Sequence, residues 1–373
     1  MTEHILVKQH DVAQLVGLAA DGLRSMYDER KSAFCKRVSP SSQGLRRVGT
    51  SYAGSLVATM GLNEIARRGY WTAFATQSLA AELVERSASV KSTAELGLLV
   101  WMTARVAPQL LDRVFDAFDL RLALDAYPDG RAAETGALAW LLTGLSEARL
   151  AVGPDAEALE DVTHLTRQLL FVNYGGQGVF ARQGKGMLGR RRGIFPDQAF
   201  SAYAFSRYAR AFGDEASLHV ARQVADRLVM NQGPIGQWWW RYDTTDGRVV
   251  DQYPVLSVHQ YAIAPMALVE VSLLTGEDYA DALIASLAWV RFGNERKVDL
   301  VDTKRKVVWD GLQRTRYTSY VRQLAPGRLF SRGGAAAARA AVIEECRPEH
   351  LGWLLYALSG GIQPDRGVTA TFG

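Results

Sequence analysis

The stretch DQAFSAYAFSRYARAFGDEASLHVARQVADRLVM, residues 197–230, decides the fold class. It holds two helical patterns that meet at Gly213 and Asp214, residue types that separate helices. The first pattern is apolar on nearly every side, which predicts a helix buried all round. The second has charged residues at every third or fourth position, which predicts an outer helix with one face in solvent. The stretch therefore predicts a hairpin of one buried and one amphipathic helix.

The same pair of patterns recurs about six times along the chain. Buried patterns begin YAGSLVATMGL, AELGLLVWM, AETGALAWLLTGL, HQYAIAPMALVEV and EHLGWLLYALSGG, and amphipathic ones alternate with them. Two concentric rings of helices would produce this alternation. The lone helix at 10–27 would then close the outer ring beside 348–360. Helices are predicted at about 10–27, 51–67, 72–86, 92–106, 108–124, 131–150, 155–172, 197–212, 214–230, 257–275, 278–292 and 348–360.

Composition limits the classes of function. The formal charge of +4 and the pI near 9.0 are too mild for a nucleic-acid-binding protein of 373 residues, but they suit an anionic small molecule or glycan. Two cysteines, Cys35 and Cys346, cannot form a disulfide framework. Cys346 and His350 have a possible metal-ligand spacing, but no second pair is visible, so we expect neither metal nor cofactor. No secretion signal or membrane span is indicated, and we expect a cytoplasmic protein.

Each buried helix opens with polar side chains in its first turn, and in a ring these six ends would meet at one mouth. A plain capping role is the alternative, because an acid at a helix N-terminus is stabilised by the helix dipole. Six polar first turns around one ring nevertheless favour a binding or catalytic site. The residues are Tyr52, Glu95, Glu134, Asp197 with Gln198, His259 with Gln260, and Glu349 with His350.

The connection from Asn231 to Met266 has too many aromatic and charged residues for an ordinary surface loop. Asp246-Gly247 predicts a tight turn, and Val249-Val250 could pair with the tryptophan run to form a small hairpin over a cavity. Simple packing of the tryptophans in the core is the alternative. The residues of interest are Trp238, Trp239, Trp240, Arg241, Tyr242, Asp243, Asp251 and Tyr253.

Three other connections carry expectations. The segment 173–196 is rich in glycine and basic residues, and Arg191 and Arg192 in it could hold a carboxylate, sulfate or phosphate, or could simply be solvated. Residues 31–49 are expected to form a loop. Residues 300–309 are expected to form a short hairpin, and residues 332–346 a short helix.

The repeated hairpins, with Trp-, Tyr- and Asp-rich connections, resemble the (α/α)6 toroid of the six-hairpin glycosidase superfamily. That group includes unsaturated glucuronyl hydrolases, the N-acylglucosamine 2-epimerase family, and the toroid domains of alginate-type lyases and heparosan glucuronyl C5-epimerases. No family-defining motif is matched. The resemblance implies an all-α toroid, a single domain over residues 1–373 with short β-hairpins in its connections. By position it places the site at Glu134, Asp197, Asp243, Asp251, Tyr253, His259 and His350.

The favoured function is a carbohydrate-active enzyme that acts on an anionic saccharide, of uronic-acid or N-acyl type, by hydrolysis, epimerisation or elimination. His259 is the first choice for acid/base chemistry, with Asp197, Asp251, Asp243 and Tyr253 as further catalytic candidates. The predicted substrate contacts are Trp238, Trp239, Trp240, Arg241, Tyr242, Gln198, Gln260, Glu134, His350, Arg191 and Arg192.

Two alternatives stay open. A glycan-binding or scaffold protein of a polysaccharide pathway would use the same aromatic and arginine side chains. A terpene cyclase would share the toroid shape, but the DTTDG at 243–247 lacks the paired acids of the DxDD motif. The expected partner is a small-molecule or oligosaccharide substrate, with no nucleic acid and no membrane span, and the sequence leaves the oligomeric state open.

Overall fold

The computed structural model describes residues 9–125, 127, 134–153, 157–183, 191–314 and 340–359. Helices dominate this part of the chain and lie close to where the apolar spacing predicts them, except that the helix expected at 108–124 is divided into two short helices, Leu111–Ala117 and Leu120–Asp125. A π-helical turn, His259–Ile263, comes directly before the helix Ala264–Thr275. In chain order the helices are α1 (Gln9–Met26), α2 (Tyr52–Arg67), α3 (Thr76–Glu85), α4 (Thr93–Val106), α5 (Leu111–Ala117), α6 (Leu120–Asp125), α7 (Thr135–Val152), α8 (Glu157–Phe171), α9 (Phe195–Phe212), α10 (Glu215–Met230), α11 (Ala264–Thr275), α12 (Ala280–Ala288) and α13 (Pro348–Leu358).

Six helices form a closed inner ring. Helix α2 packs on α4, α4 on α7, α7 on α9, α9 on α11, α11 with its π-turn on α13, and α13 back on α2. These are the helices whose sequences are apolar on nearly every side. The inner ring predicted from that pattern is confirmed.

The amphipathic helices surround this ring. Helix α3 contacts α2 and α4, α8 contacts α7 and α9, and α10 contacts α9 and α11. Helix α5 packs on α4, and α12 packs on the π-turn before α11. Helix α1 contacts α13, so the first helix closes the outer ring beside the last one, as predicted.

Glycines let neighbouring inner helices touch backbone to backbone. A Cβ placed on Gly144 of α7 would lie 2.5 Å from the carbonyl oxygen of Gly97 on α4. A Cβ on Gly352 of α13 would lie 2.7 Å from the carbonyl oxygen of Val57 on α2. Both distances are too short for a real side-chain atom. The Ala- and Gly-rich composition of the inner helices therefore reflects close packing around the ring axis.

One connection expected to be a loop is a pair of hairpins. Strands β1 (Tyr27–Asp28) and β2 (Ala33–Phe34) pair, and so do β3 (Arg37–Ser41) and β4 (Gly44–Val48). The loop prediction for 31–49 is therefore wrong. The Ser- and Gly-rich residues form the turn between β3 and β4, where Gly44 has φ +114°, and Val38 is anchored by a β-bridge to Cys346.

Two three-stranded sheets are formed by strands from the connections between the helices. The first runs β5 (Arg192–Ile194), β6 (Arg241–Asp243) and β7 (Val249–Asp251). The predicted strand at Val249-Val250 is present, but it pairs with residues 241–243 rather than with the tryptophans. The second sheet runs β8 (Val255–Leu256), β11 (Gly311–Arg314) and β12 (Ala340–Ile343).

The segment 340–343 was expected to be helical, and it is a strand instead. Its pairing with β11 outweighs the helix propensity of alanine. Residues 332–339 of the same prediction lie outside the described residues. The hairpin predicted at 300–309 is confirmed by β9 (Val301–Asp302) and β10 (Val307–Val308). Among the described helices, none combines the length and hydropathy needed to cross a bilayer.

Candidate active site

The first turns of the inner helices meet at one end of the ring, which we call the N-terminal mouth. Asp197 Oδ1 on α9 lies 3.3 Å from the position that a Cβ would take on Gly136 of α7. The ring of Phe195 lies 4.6 Å from that of His259, before α11. Glu349 Oε2 on α13 lies 3.4 Å from the Cβ position of Gly54 on α2. These contacts bring together the first turns of α7 and α9, of α9 and α11, and of α13 and α2. The Tyr52 hydroxyl instead donates to the carbonyl oxygen of Leu83 on α3, and Glu95 accepts the backbone N–H of Lys91, so the predicted convergence holds for part of the six.

Asp197 is the buried acid of this mouth, with 5% of its surface exposed. Its Oδ2 accepts a hydrogen bond of 3.3 Å from the backbone N–H of Ile194. Burial raises the pKa of Asp197 to about 7, although this N–H and the charge of Arg182 act to lower it. The carboxyl group therefore keeps its proton close to neutral pH, which is the property of a general acid.

Glu134 supplies a second carboxylate beside Asp197. It is the N-cap residue of α7, and it forms an ion pair of 3.8 Å with Arg182. Its negative charge contributes to the raised pKa of Asp197. Unlike Asp197 it is exposed, so the two carboxyl groups differ in solvation. Two carboxyl groups in unlike surroundings are the arrangement that separates an acid from a base.

His259 is buried between two aromatic rings. The Phe195 ring is one of the two. The other is Trp240, which stacks on the imidazole of His259 at a centroid distance of 6.0 Å with an interplanar angle of 8°. Burial, with a smaller effect of His350, lowers the pKa of His259 to about 3. The imidazole is therefore neutral at pH 7. This environment favours a packing or hydrogen-bonding role, and acid/base chemistry by His259 stays a prediction.

His350 and Asp310 form a second pair of titratable groups at the same mouth. His350 Nδ1 lies 2.9 Å from Asp310 Oδ1, and both side chains are largely buried. The guanidinium Nε of Arg347 lies 3.4 Å from Asp310 Oδ2. A carboxylate on Nδ1 orients an imidazole and fixes its tautomer, which leaves Nε2 for proton transfer. This arrangement suits an acid or a base.

The three tryptophans do not form the expected stacking wall. Trp238 is fully buried, and its Nε1 donates a hydrogen bond of 2.7 Å to Ser286 Oγ. Trp239 is also buried and packs edge-on against Tyr253. Only Trp240 is partly exposed. Core packing, the alternative left open by the sequence, accounts for the first two.

The β6–β7 ribbon holds the remaining charged candidates at its edge. Arg241 lies opposite Asp251 in the sheet. Partial burial acts to raise the pKa of Asp243, but hydrogen bonds from Thr245 outweigh it and hold this pKa below its usual value. Asp243 is therefore ionised at neutral pH. Tyr242 is buried, and its hydroxyl has no hydrogen-bond partner among the described residues.

Tyr253 belongs to a cluster around Glu295. The Tyr253 hydroxyl donates to Glu295 Oε1, and Trp289 Nε1 donates to Glu295 Oε2, both at 2.9 Å. Burial and the neighbouring carboxylate raise the pKa of Tyr253. Arg314 lies over the Tyr253 ring, 5.0 Å from its centroid. This hydroxyl is therefore protonated across the physiological range.

Two predicted substrate contacts are buried structural residues. The amide of Gln198 exchanges hydrogen bonds with the backbone of Phe180, at 2.6 Å and 2.9 Å. Gln260 is fully buried, and its side-chain N–H groups donate to Ser286 Oγ at 3.2 Å and to the Gly236 carbonyl oxygen at 2.9 Å. Because each amide is bound inside the protein, substrate contact is not their role, and those two predictions are wrong for this reason.

The basic residues of the 173–196 connection lie partly outside the described residues, which omit 184–190. Arg191 and Arg192 are exposed. Arg192 begins β5 opposite Asp243, and the positive charge of Arg191 helps to lower the pKa of Asp243. Both stay candidates for contact with an anion.

Aromatic residues on the inner helices form a group that sequence reasoning missed. Trp140 packs edge-on against Phe200 at 5.2 Å, and Phe200 contacts Trp353 at 5.6 Å. The indole Nε1 of Trp140 is buried without a partner among the described residues. Large aromatics inside Ala- and Leu-rich helices were the available signal. Within the described part of the chain, no group of three or more His, Cys, Asp or Glu residues could hold a metal ion.

No model of a protein family matches this chain, and no curated protein matches it by sequence. Solved structures do match it in shape. A glycosyl hydrolase family 88 protein from Bacteroides vulgatus is 10% identical, covers 94% of this chain and 98% of its own, and has a TM-score of 0.61. The fold is an (α/α)6 toroid.

Two further structures agree with this assignment. The unsaturated glucuronyl hydrolase from Bacillus sp. GL1 is 14% identical to the toroid, covers 93% of it and 94% of its own chain, and has a TM-score of 0.57. A mutant of the Streptococcus agalactiae enzyme of the same name, complexed with dGlcA-GalNAc6S, is 12% identical, with coverages of 96% and 93% and a TM-score of 0.58. The predicted resemblance to six-hairpin toroids is confirmed at the level of the fold.

Proposed function

We propose that this toroid is a carbohydrate-active enzyme that hydrolyses an anionic saccharide at its N-terminal mouth. The observation that carries the proposal is the state of Asp197, a buried acid in the first turn of an inner helix whose pKa is raised to about 7. Glycoside hydrolysis needs a carboxylic acid that is still protonated at working pH to protonate the leaving oxygen. Asp197 fills that role.

Hydrolysis also needs a second, ionised carboxylate. Glu134 is the best candidate, because it is exposed and interacts electrostatically with Asp197 across the contact between α7 and α9. Asp243 and Asp251 lie on the neighbouring ribbon and stay as further candidates. Asp243 is ionised at neutral pH, which suits a base and does not suit the acid.

Arginines around the mouth support an anionic substrate. Arg182 lies beside Glu134, and Arg347 lies beside Asp310. Arg191 and Arg192 belong to the same 173–196 connection as Arg182, and both are exposed. Guanidinium groups bind carboxylates in a bidentate geometry. The similar structures named above include enzymes whose names state that they act on unsaturated glucuronyl groups. A uronic-acid residue is therefore the first substrate class to test.

Epimerisation or β-elimination is a second candidate, favoured by the His350–Asp310 pair. Both reactions remove a proton next to a carboxylate, and an oriented imidazole is a suitable base. If this reaction operates, Asp310→Asn should abolish turnover and Asp197→Asn should only slow it. Hydrolysis predicts that Asp197→Asn is the more damaging of the two.

The test is turnover of a panel of saccharides, measured by reducing-end release and by chromatography. The panel contains unsaturated chondroitin and hyaluronan disaccharides, aryl β-glucuronides and matching aryl β-glucosides. We expect release from glucuronyl substrates alone, and a loss of about a thousandfold or more in Asp197→Asn, since an amide cannot protonate the leaving oxygen.

Asp281→Asn is the matched control, because Asp281 is also a first-turn acid but belongs to the outer helix α12. It should retain full activity. Equal losses in the two variants would show that first-turn acids matter here only as caps. Binding of a disaccharide without turnover would contradict the enzyme proposal and leave a glycan-binding protein.

A further inference from the structure

The positive charge of this protein is concentrated in one short segment. Residues 27–50 hold six basic and two acidic residues, which is a net charge of +4. The rest of the chain has 37 basic residues out of the total of 43 and 37 acidic residues out of the total of 39, so its formal charge is zero. The mild charge of the whole protein is therefore that of a single strongly basic segment, and a local surface of one sign attracts molecules of the opposite sign.

The second hairpin of this segment, β3–β4, has an anchored face and an outer face. Across the pair, Arg37 lies opposite Val48 and Ser39 lies opposite Arg46. Residues that are opposite each other, or two apart along a strand, share one face of a sheet, so Arg37 and Arg46 are neighbours. Val38 belongs to the other face, and it is buried. We call the outer face, with Arg37 and Arg46, the basic face.

Further charged groups surround the basic face. Lys36 and Arg47 are exposed, and Arg47 Nη1 donates a hydrogen bond of 2.6 Å to the carbonyl oxygen of Tyr27. Arg37 Nε lies 3.3 Å from Glu345, whose carboxylate reduces the net charge of the group from +4 to +3. The surface stays basic when this neighbouring acid is counted.

Backbone hydrogen bonds hold the two hairpins at the N-terminal mouth. The carbonyl oxygen of Phe34 accepts the N–H of Ser51 at 3.1 Å, and Ser51 is the N-cap residue of α2. Val38 and Cys346 exchange two backbone hydrogen bonds, at 2.8 and 3.0 Å, two residues before α13 begins. Helices α2 and α13 both have their first turns at the mouth. The basic face therefore lies at the edge of the mouth, beside these two helices.

A row of charged side chains connects the basic face with the mouth. Glu345 lies 3.3 Å from Arg37 and 4.0 Å from Arg347 Nη2. Arg347 Nε lies 3.4 Å from Asp310, which contacts His350 at 2.9 Å. The surface between the hairpin and the His350–Asp310 pair is thus polar throughout. A hydrophilic chain that has one end in the mouth meets no apolar barrier on its way to the hairpin.

We propose that the basic face binds the continuing chain of an anionic polysaccharide whose terminal sugar occupies the N-terminal mouth. The inference rests on the proposed function, and it adds that the substrate is a uronic-acid oligosaccharide longer than a disaccharide. Carboxylates recur along such a chain, and guanidinium groups such as those of Arg37 and Arg46 bind carboxylates in a bidentate geometry. Continuity with the mouth favours a saccharide over other polyanions.

Fluorescence anisotropy with end-labelled hyaluronan oligosaccharides tests the proposal on the full chain. All variants carry Asp197→Asn, so that binding is measured without hydrolysis. We expect the octasaccharide to bind about tenfold more tightly than the disaccharide, and neutral maltooctaose not to bind. The difference should decrease as the salt concentration rises, because exposed charges are screened.

Two double substitutions on the basic face locate the contact. Arg37→Gln/Arg46→Gln should weaken octasaccharide binding about tenfold, since two exposed charge interactions are lost, and should leave disaccharide binding unchanged. Arg37→Lys/Arg46→Lys keeps both charges and should retain most of the affinity. The matched control is Arg113→Gln/Arg222→Gln, which removes the same charge from exposed sites on the outer helices α5 and α10 and should have no effect.

Three results would overturn the proposal. The first is an octasaccharide that binds no more tightly than the disaccharide. The second is an equal loss of affinity in the Arg113→Gln/Arg222→Gln control, because attraction would then depend on net charge alone. The third is tighter binding of a single-stranded DNA octamer or of phosphatidylserine vesicles at the same two arginines. None of these results alters disaccharide turnover, and absence of turnover with length-dependent binding would refute only the enzyme.

Discussion

The raised pKa of Asp197 makes a prediction about stability that needs no substrate. In the unfolded chain this carboxyl group has its ordinary pKa of 3.8, and in the native toroid its pKa is about 7. Between these values the native state binds the proton and the unfolded state does not. The free energy of unfolding must therefore fall as pH rises through this window. Below 3.8 and above 7 the contribution is constant.

The size of the effect follows from the two pKa values. A rise from 3.8 to about 7 corresponds to about 4 kcal/mol, at about 1.36 kcal/mol for each pKa unit. Asp197→Asn removes the titration while its side-chain oxygen can still accept the N–H of Ile194. We expect the unfolding free energy of the wild type, minus that of the variant, to fall by about 4 kcal/mol between pH 3.5 and 8.

Urea unfolding followed by tryptophan fluorescence measures this difference, since the chain has nine tryptophans. Asp302→Asn is a control of opposite sign. Partial burial acts to raise the pKa of Asp302, but hydrogen bonds from Arg305 prevail and lower it. The unfolding free energy of the wild type, minus that of Asp302→Asn, should therefore increase as pH rises through the acidic range. A difference between wild type and Asp197→Asn that does not change with pH would refute the burial argument and remove the proposed general acid.

Five further substitutions test other parts of the structure. Gly136→Ala would place a Cβ 3.3 Å from Asp197 Oδ1, and we expect kcat to fall about tenfold with little change in Tm, measured by turnover and thermal unfolding. Trp238→Ala should cost about 3–5 kcal/mol of stability, because this side chain is fully buried, whereas Trp240→Ala should mainly raise KM for a saccharide, roughly tenfold. Equal stability losses in these two variants would show that Trp240 is only a core residue. Glu147→Gln should lower the unfolding free energy by about 3–5 kcal/mol, since Arg207 loses a buried partner, while Asp246→Asn at an exposed ion pair should change it by less than ~1 kcal/mol.

The sequence alone determined the architecture of this protein. Helices buried on every side alternate with helices that have one charged face, and two concentric rings satisfy both kinds of surface at once. The first-turn position of Asp197 followed from the same pattern, since every inner helix begins at the same end of the ring. Local helical periodicity carries this information, because side chains three and four positions apart lie on one face.

Tertiary structure decided which polar residues can do chemistry. Asp197 and Gln198 are neighbours in sequence, yet the first has a raised pKa beside Gly136 and Glu134 and the second is bound to the backbone of Phe180. The pairing of His350 with Asp310 joins residues 40 positions apart. A polar cavity lined by Glu64, Arg105 and Arg207 is assembled from the ends of five helices. Burial, pKa and pairing depend on neighbours that are distant in sequence, so periodicity cannot reveal them.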